Sequence, residues 1–450
     1  MKHAMIVVSL LIALGGAPAR SQNASPPFIT LGDSIGEGVQ SAEASTRSQP
    51  HQLWSLIAQQ MGVSFPLPLI EGGPFANIFS TQGRSRINPS LAAADLAVSG
   101  ATIHDLLNTT FQPPVDTEAD LVLMPRTGSQ MQIAETLKAP LNMVWIGNND
   151  VDGAVLAWNQ LDASQMTPVE SFTADYAEMI SRFSAWTSHL VVGTIPDVTQ
   201  TGFVVSPQTM MLFLGTDCGL PQGSFTTAPS MLLIKLGYYD CSLLQDPNYV
   251  LDPQETAAIQ QRLQQFNQIM TADAQQAGFG VVDIYGLFQS LLNNPPVFFG
   301  VPILGRANGG LESLDAFHPS DIGHALAANA FIQRANQTYG MTIPLISQDM
   351  LNSIAAADPF IDWNGNLIVR GRPLAGELET LGPFLGISGD FSDQPGAAQV
   401  APAAKIDKQL GQAFKQQYLA LKGLPASTPW TREDAMAAML ELFPIPKRAQ

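Results

Sequence analysis

The chain has 450 residues, of which 46% are hydrophobic and only 13% charged. Its 38 acidic and 21 basic side chains leave a formal net charge of −17, which argues against nucleic acid or an anionic membrane surface as the main partner, because phosphate binding needs clustered Lys and Arg. The high apolar content excludes a solvated disordered chain, and 37 Gly with 33 Pro point to a loop-rich, well-cored, soluble protein.

Lys2 and His3 precede an apolar run from Ala4 to Leu14, followed by Gly15-Gly16 and the small residues Ala17-Pro18-Ala19. A positive start, a short apolar stretch and a small-x-small site predict a secretory signal peptide over 1–21 and a secreted or periplasmic mature chain. The run is too short to span a bilayer comfortably, and no later stretch is apolar for 18 residues without interruption.

Short β-rich runs then alternate with helical stretches. Phe28-Ile29-Thr30-Leu31 ends at Gly32, Leu121-Val122-Leu123-Met124 at Pro125, and Met143-Val144-Trp145-Ile146 at Gly147. Leu96-Ala97-Val98, Leu190-Val191-Val192-Gly193 and Val281-Val282-Asp283-Ile284 follow the same pattern. Near-continuous apolar runs suit strands buried on both faces of a parallel sheet. Between them, Thr167-Pro168-Val169-Glu170 and Asp252-Pro253-Gln254-Glu255 each offer an N-cap, a first-turn Pro and an acid at N3. The alternation predicts an α/β fold with a central parallel sheet.

Three regions break this rhythm. Residues 62–90, rich in Pro, Gly and Asn, and residues 203–250, with apolar clusters Met210–Leu214 and Met231–Ile234, are expected to be insertions. The second holds the two cysteines, Cys218 and Cys241. In an exported chain an even pair reads as one disulfide, with two buried thiols as the other reading; closing 22 intervening residues is worth about 3 kcal/mol. The Met and Leu clusters around them would line an acyl pocket, form a lid, or pack as satellite core. From 346 to 450 the chain forms a C-terminal extension of no assigned role, with a linker expected over Gln394–Ala404 and a last helix announced by Thr431-Arg432-Glu433-Asp434 and running to about Phe443.

Chemistry concentrates where apolar runs stop. Ser34 follows a strand end in Leu31-Gly32-Asp33-Ser34, the edge at which α/β folds bind ligands. Asp315 and His318 are three residues apart in Asp315-Ala316-Phe317-His318-Pro319; a carboxylate one turn away can hold Nδ1–H while Nε2 takes a proton from a serine. Asn149, in Gly147-Asn148-Asn149-Asp150, offers an amide donor to a developing oxyanion. Gly100, in Ser99-Gly100-Ala101-Thr102, lets a backbone N–H approach a substrate closely. Taken singly, each also reads as a turn or a helix cap. His51, His104, His189 and His324 show no metal-ligand spacing, and a solvated or capping role is expected of His324. Arg126 would meet a substrate carboxylate or sit in a surface ion pair.

In chain order Ser34, Gly100, Asn149 and the Asp315/His318 pair supply a nucleophile, two oxyanion donors, and a base with its orienter. This resembles the SGNH-hydrolase (GDSL esterase/lipase) superfamily over about residues 28 to 335. Block one is Gly32-Asp33-Ser34, with Ile35 where the name-giving Leu would stand. Block two is Gly100, block three Gly147-Asn148-Asn149-Asp150, and block five Asp315-Ala316-Phe317-His318. Ile195-Pro196-Asp197-Val198-Thr199 is also similar to bacterial members. The resemblance implies a three-layer α/β/α sandwich similar to flavodoxin, occupying 25–345, and ester hydrolysis with no cofactor and no metal. It implies Ser34 as nucleophile, His318 as base, Asp315 behind it, and an oxyanion hole from Ser34, Gly100 and Asn149. The substrate would be a small-molecule, lipid or carbohydrate ester. The competing expectation is a non-catalytic surface or periplasmic binding module on the same fold.

Overall fold

A computed structural model describes residues 25–72, 78, 80–305, 309–361 and 405–445. The expected signal peptide 1–21 and the expected linker Gln394–Ala404 lie outside the described residues. Four parallel strands form the central sheet: β1 (Phe28–Gly32), β2 (Leu141–Trp145), β3 (Leu190–Gly193) and β4 (Gly280–Val282). Residues 94–98 extend it beyond β1, where Thr30 and Asp95 form a parallel bridge and the N–H groups of Leu96 and Val98 donate to Thr30 O and Gly32 O. The lateral order is therefore 94–98, β1, β2, β3, β4. This is the doubly wound order of an α/β sandwich, with its switch point between β1 and β2.

Alternating strand residues feed two cores. Ile29, Leu31, Val144 and Val192 join α3 (Ile103–Asn108), α5 (Gln130–Leu137), α6 (Asn148–Leu156), α7 (Val169–Ser184) and α10 (Pro253–Gln276) on one face. Phe28, Met143, Trp145 and Val191 join α2 (Leu53–Met61), α12 (Asp321–Tyr339) and α13 (Gln348–Ala357) on the other. Residues 203–250, expected to be an insertion, contribute α8 (Pro207–Leu214) and α9 (Ala228–Lys235), and Cys218 and Cys241 within them are disulfide-bonded. At the C-terminal end, α14 (Lys408–Leu421) and α15 (Arg432–Leu442) bury Phe414, Ala438 and Met439 in the first core.

Several local expectations are corrected. Leu121–Met124 is not a strand. Leu121 to Leu123 close α4 (Glu118–Leu123), whose Thr117/Asp120 capping box starts a helix that a four-residue apolar run cannot distinguish from a strand. Thr167 does not cap α7; its hydroxyl donates to Asp150, and Pro168 stands at the N-cap. Ile284 begins α11 (Ile284–Asn293) rather than ending β4, because Asp283 caps that helix. The capping boxes at Asp252/Glu255 and Thr431/Asp434 form as expected.

Candidate active site

The turn after β1 sets the position of Ser34. A Cβ on Gly32 would lie 2.5 Å from Trp145 O of β2, so only glycine lets the two strand ends come this close. The Gln130 amide holds both backbone groups of Gly32, at 3.0 and 2.9 Å. Asp33 accepts the Ile35 N–H at 3.1 Å, capping the short helix α1 (Ser34–Glu37), and accepts Asn148 Nδ2 at 2.7 Å. Burial pushes the Asp33 carboxyl up to about 6.

His318 reaches this turn from 284 residues away, with Nε2 2.8 Å from Ser34 Oγ. Its Nδ1 lies 2.7 Å from Asp315 Oδ2. The carboxylate makes Nδ1 the protonated nitrogen and leaves Nε2 to accept the serine proton. Asp315 Oδ2 also accepts the Ala42 N–H at 2.8 Å, while Oδ1 accepts the N–H groups of Phe317 and His318 and the Ser313 hydroxyl at 2.9–3.1 Å. Burial acts to raise the Asp315 carboxyl, but the charge of His318 and these hydrogen bonds outweigh it and hold the group below its ordinary value. Ser41, Ala42 and Ala316 adopt left-handed backbone, φ 54, 64 and 60°. Such conformations are costly for non-glycine residues and persist where surrounding structure imposes them.

Gly100 has φ 78°, a left-handed backbone conformation that favours glycine. Its neighbour Ser99 donates both N–H and Oγ–H to Glu37 Oε2 at 2.6 Å. Burial drives the Glu37 carboxyl well above the usual range. Asn149 Nδ2 donates to Ala101 O at 3.0 Å, fixing the amide beside Gly100. Asp150 ties the same region together by accepting the Ile103 N–H at 3.0 Å and the Thr167 hydroxyl at 2.8 Å, and burial pushes it up to about 7. Ser34, Gly100, Asn149, Asp315 and His318 line one cavity, otherwise walled by Ala42, Ile78, Leu156, Phe203, Phe317, Phe443 and Pro444.

The remaining candidates fall elsewhere. Met210, Leu214 and Met231–Ile234 pack in the core, and Met211 and Leu212 are exposed; none of them lines this cavity. Phe203, at the edge of the 203–250 segment, does. His324 is neither solvated nor a cap: it is fully buried on α12, both ring nitrogens lack a partner, and burial, then the charges of His318 and His51, push it down to about 3. Arg126 meets neither a substrate site nor an acid; its guanidinium donates to Ala93 O. His51 and His104 pair with Asp321 and Asp175 at 3.5 and 3.3 Å, and the His189 ring packs edge-on against Tyr339. Among the described residues no group of three or more His, Cys, Asp or Glu is placed to hold a metal ion.

Sequence reasoning missed Gln130, Glu37 and Ser313, which hold the site from behind, and Ala42, which both holds Asp315 and lines the cavity. Glu37, an acid three residues after Ser34 in an apolar setting, carried a usable signal; Phe443 and Pro444 carried none.

The model of the GDSL-like Lipase/Acylhydrolase family matches residues 28–331. The chain belongs to this family. Carboxylic ester hydrolysis is the activity that membership carries. Solved structures similar to this GDSL-family chain include LAE5, an alpha/beta hydrolase enzyme from the metagenome of Lake Arreo, Spain, at 16% identity and TM-score 0.36, covering 70% of this chain and 96% of that one. Another is a variant of an acetyl xylan esterase from Geobacillus stearothermophilus, at 14% identity and TM-score 0.34, covering 70% and 95%. Among curated proteins no sequence matches the chain.

Proposed function

We propose that this family member is an exported serine ester hydrolase in which Ser34 is the nucleophile, His318 the base and Asp315 its orienter. The observation that carries the reading is the Ser34 Oγ–His318 Nε2–Asp315 Oδ2 relay, at 2.8 and 2.7 Å, opening into an apolar cavity.

Ser34 Oγ attacks the ester carbonyl as His318 Nε2 takes its proton, and the imidazolium is stabilised by Asp315. The tetrahedral oxyanion is received by the N–H groups of Ser34 and Gly100 and by the second N–H of the Asn149 amide, whose first is held by Ala101. The C–O bond to the alcohol breaks as His318 returns its proton to the leaving oxygen. Water then repeats the sequence on the acyl-enzyme, releasing the acid and restoring Ser34. The lining and the net charge of −17 favour a neutral ester with an apolar acyl group.

A fluorophosphonate probe should label the wild type at Ser34 and leave Ser34→Ala unlabelled and inactive on short-chain nitrophenyl esters. Wild-type turnover by Ser34→Ala, or failure of the wild type to label, would reject the reading in favour of a site retained without use. Export accords with the disulfide Cys218–Cys241, a bond that persists in oxidising compartments. Mass spectrometry of the secreted chain should find a mature N-terminus near residue 22.

A further inference from the structure

The catalytic cavity has a wall that the family match does not contain. Phe443 and Pro444 line it together with Ser34 and His318, yet they stand more than a hundred residues beyond the matched segment, which ends at 331. Phe443 is not a loosely held end. Its carbonyl accepts the Trp158 indole N–H at 2.9 Å, just past α6, the helix that begins with Asn148 and Asn149. Its ring lies 6.4 Å from Phe203, which lies 6.0 Å from Phe317, and Phe317 is 5.3 Å from the His318 ring. A continuous row of aromatic contacts thus runs from the C-terminal segment to the proposed base.

The helices behind Phe443 are docked on the disulfide-bonded segment. α15 packs on α9, burying Ala435, Met439 and Leu442. Asp407, the N-cap of α14, donates its N–H to Lys235 O at 2.7 Å, and the Tyr238 hydroxyl donates to Gly411 O. Trp430, between the two helices, contacts Tyr238 and Tyr418 at ring separations of 6.2 and 5.5 Å. Residues 405–445 are therefore fastened to the element that supplies Phe203, and the two together bring Phe203 and Phe443 to one cavity.

We propose that Phe443 is a specificity-determining residue, and that the C-terminal segment limits the length of acyl chain accepted at Ser34. This rests on the serine-hydrolase reading above. The acyl group bonded to Ser34 occupies a cavity whose volume is set by Phe203, Phe317 and Phe443, so chains that outgrow it collide with a buried, anchored ring. A smaller residue at 443 admits longer chains and a larger one excludes them, with each methylene accepted or rejected changing kcat/KM by about tenfold or more.

The test is a series of nitrophenyl esters from acetyl to dodecanoyl, run on wild type, Phe443→Ala, Phe443→Leu and Phe443→Trp, each first titrated with the fluorophosphonate. The ratio of kcat/KM for decanoyl over butanoyl should rise at least about tenfold in Phe443→Ala, rise less in Phe443→Leu, and fall in Phe443→Trp. A purely structural role would depress all chain lengths by a common factor, and that result overturns the proposal. Phe443→Leu keeps most of the buried surface, so the Leu and Trp variants decide the matter if the Ala variant does not fold. If the wild type itself fails to label, the serine-hydrolase reading falls. If every variant labels and the length profile stays fixed, only the role of Phe443 falls.

Discussion

Asp315 accepts hydrogen bonds from five donors, two of them on the oxygen that faces the His318 ring. Its depressed carboxyl pKa has a defined sign. The stability it contributes is present above the unfolded value and is lost as pH falls through the folded one, so at neutral pH the carboxylate is intact behind the ring. Replacing Asp315 with Asn puts an amide where Nδ1–H needs an acceptor and favours the wrong tautomer; kcat should fall about 10⁴-fold, with KM little changed, as steady-state kinetics would read. Asn149→Ala removes one proposed oxyanion donor without touching the relay. A loss of about 10²–10³ in kcat is expected, and an effect confined to KM would remove Asn149 from that role. The pattern of Asp315 and His318 was legible because three residues of local chain place them within reach. The Ala42 N–H was not, because only tertiary contact between residues 41–42 and 313–315 directs it to Asp315.

At the scale of elements, the site lies at the ends of the two strands that flank the switch point, β1 and β2, with residues 94–98 delivering Gly100 beside them. Their close approach depends on Gly32, whose added Cβ would meet the Trp145 carbonyl at 2.5 Å. Gly32→Ala must push β1 from β2, and a loss of about 1–3 kcal/mol is expected from the steric strain. Denaturant melts would measure it, and kcat should fall with it because Ser34 is two residues on. Two sequence readings failed here, each for its own reason. Leu121–Met124 carried the apolar signal of a strand but follows a local helix start at the Thr117/Asp120 box, and Thr167 carried the signal of a cap but gives its hydroxyl to Asp150 instead.

For the molecule as a whole, burial leaves an unusual set of titrating groups. Asp33 is raised to about 6, Asp95 and Asp150 to about 7, and Glu37, Asp152 and Glu312 well above their ordinary values, in each case chiefly by desolvation. Each binds its proton more tightly folded than unfolded, so its stabilising effect is complete below about pH 4 and is lost as pH rises through the folded value. His324, lowered to about 3 by burial, acts the opposite way below pH 6.5, as one group against six. The melting temperature should therefore be higher at pH 5 than at pH 8. The difference should persist in 0.5 M salt, which screens repulsion among exposed acids but not buried groups. Asp152→Asn, which fixes one neutral side chain, should flatten the slope; a profile level from pH 5 to 8 would refute this account. By itself the sequence determined the α/β class, the order of the four motif blocks and the presence of two cysteines in one segment. Those are written in runs of apolar residues, in turn chemistry and in spacings of a few residues. Only the tertiary structure decided that Cys218 and Cys241 are bonded, that His324 is buried without a partner, and that Phe443 walls the cavity at Ser34. Each depends on contacts between segments tens to hundreds of residues apart, which no local pattern encodes.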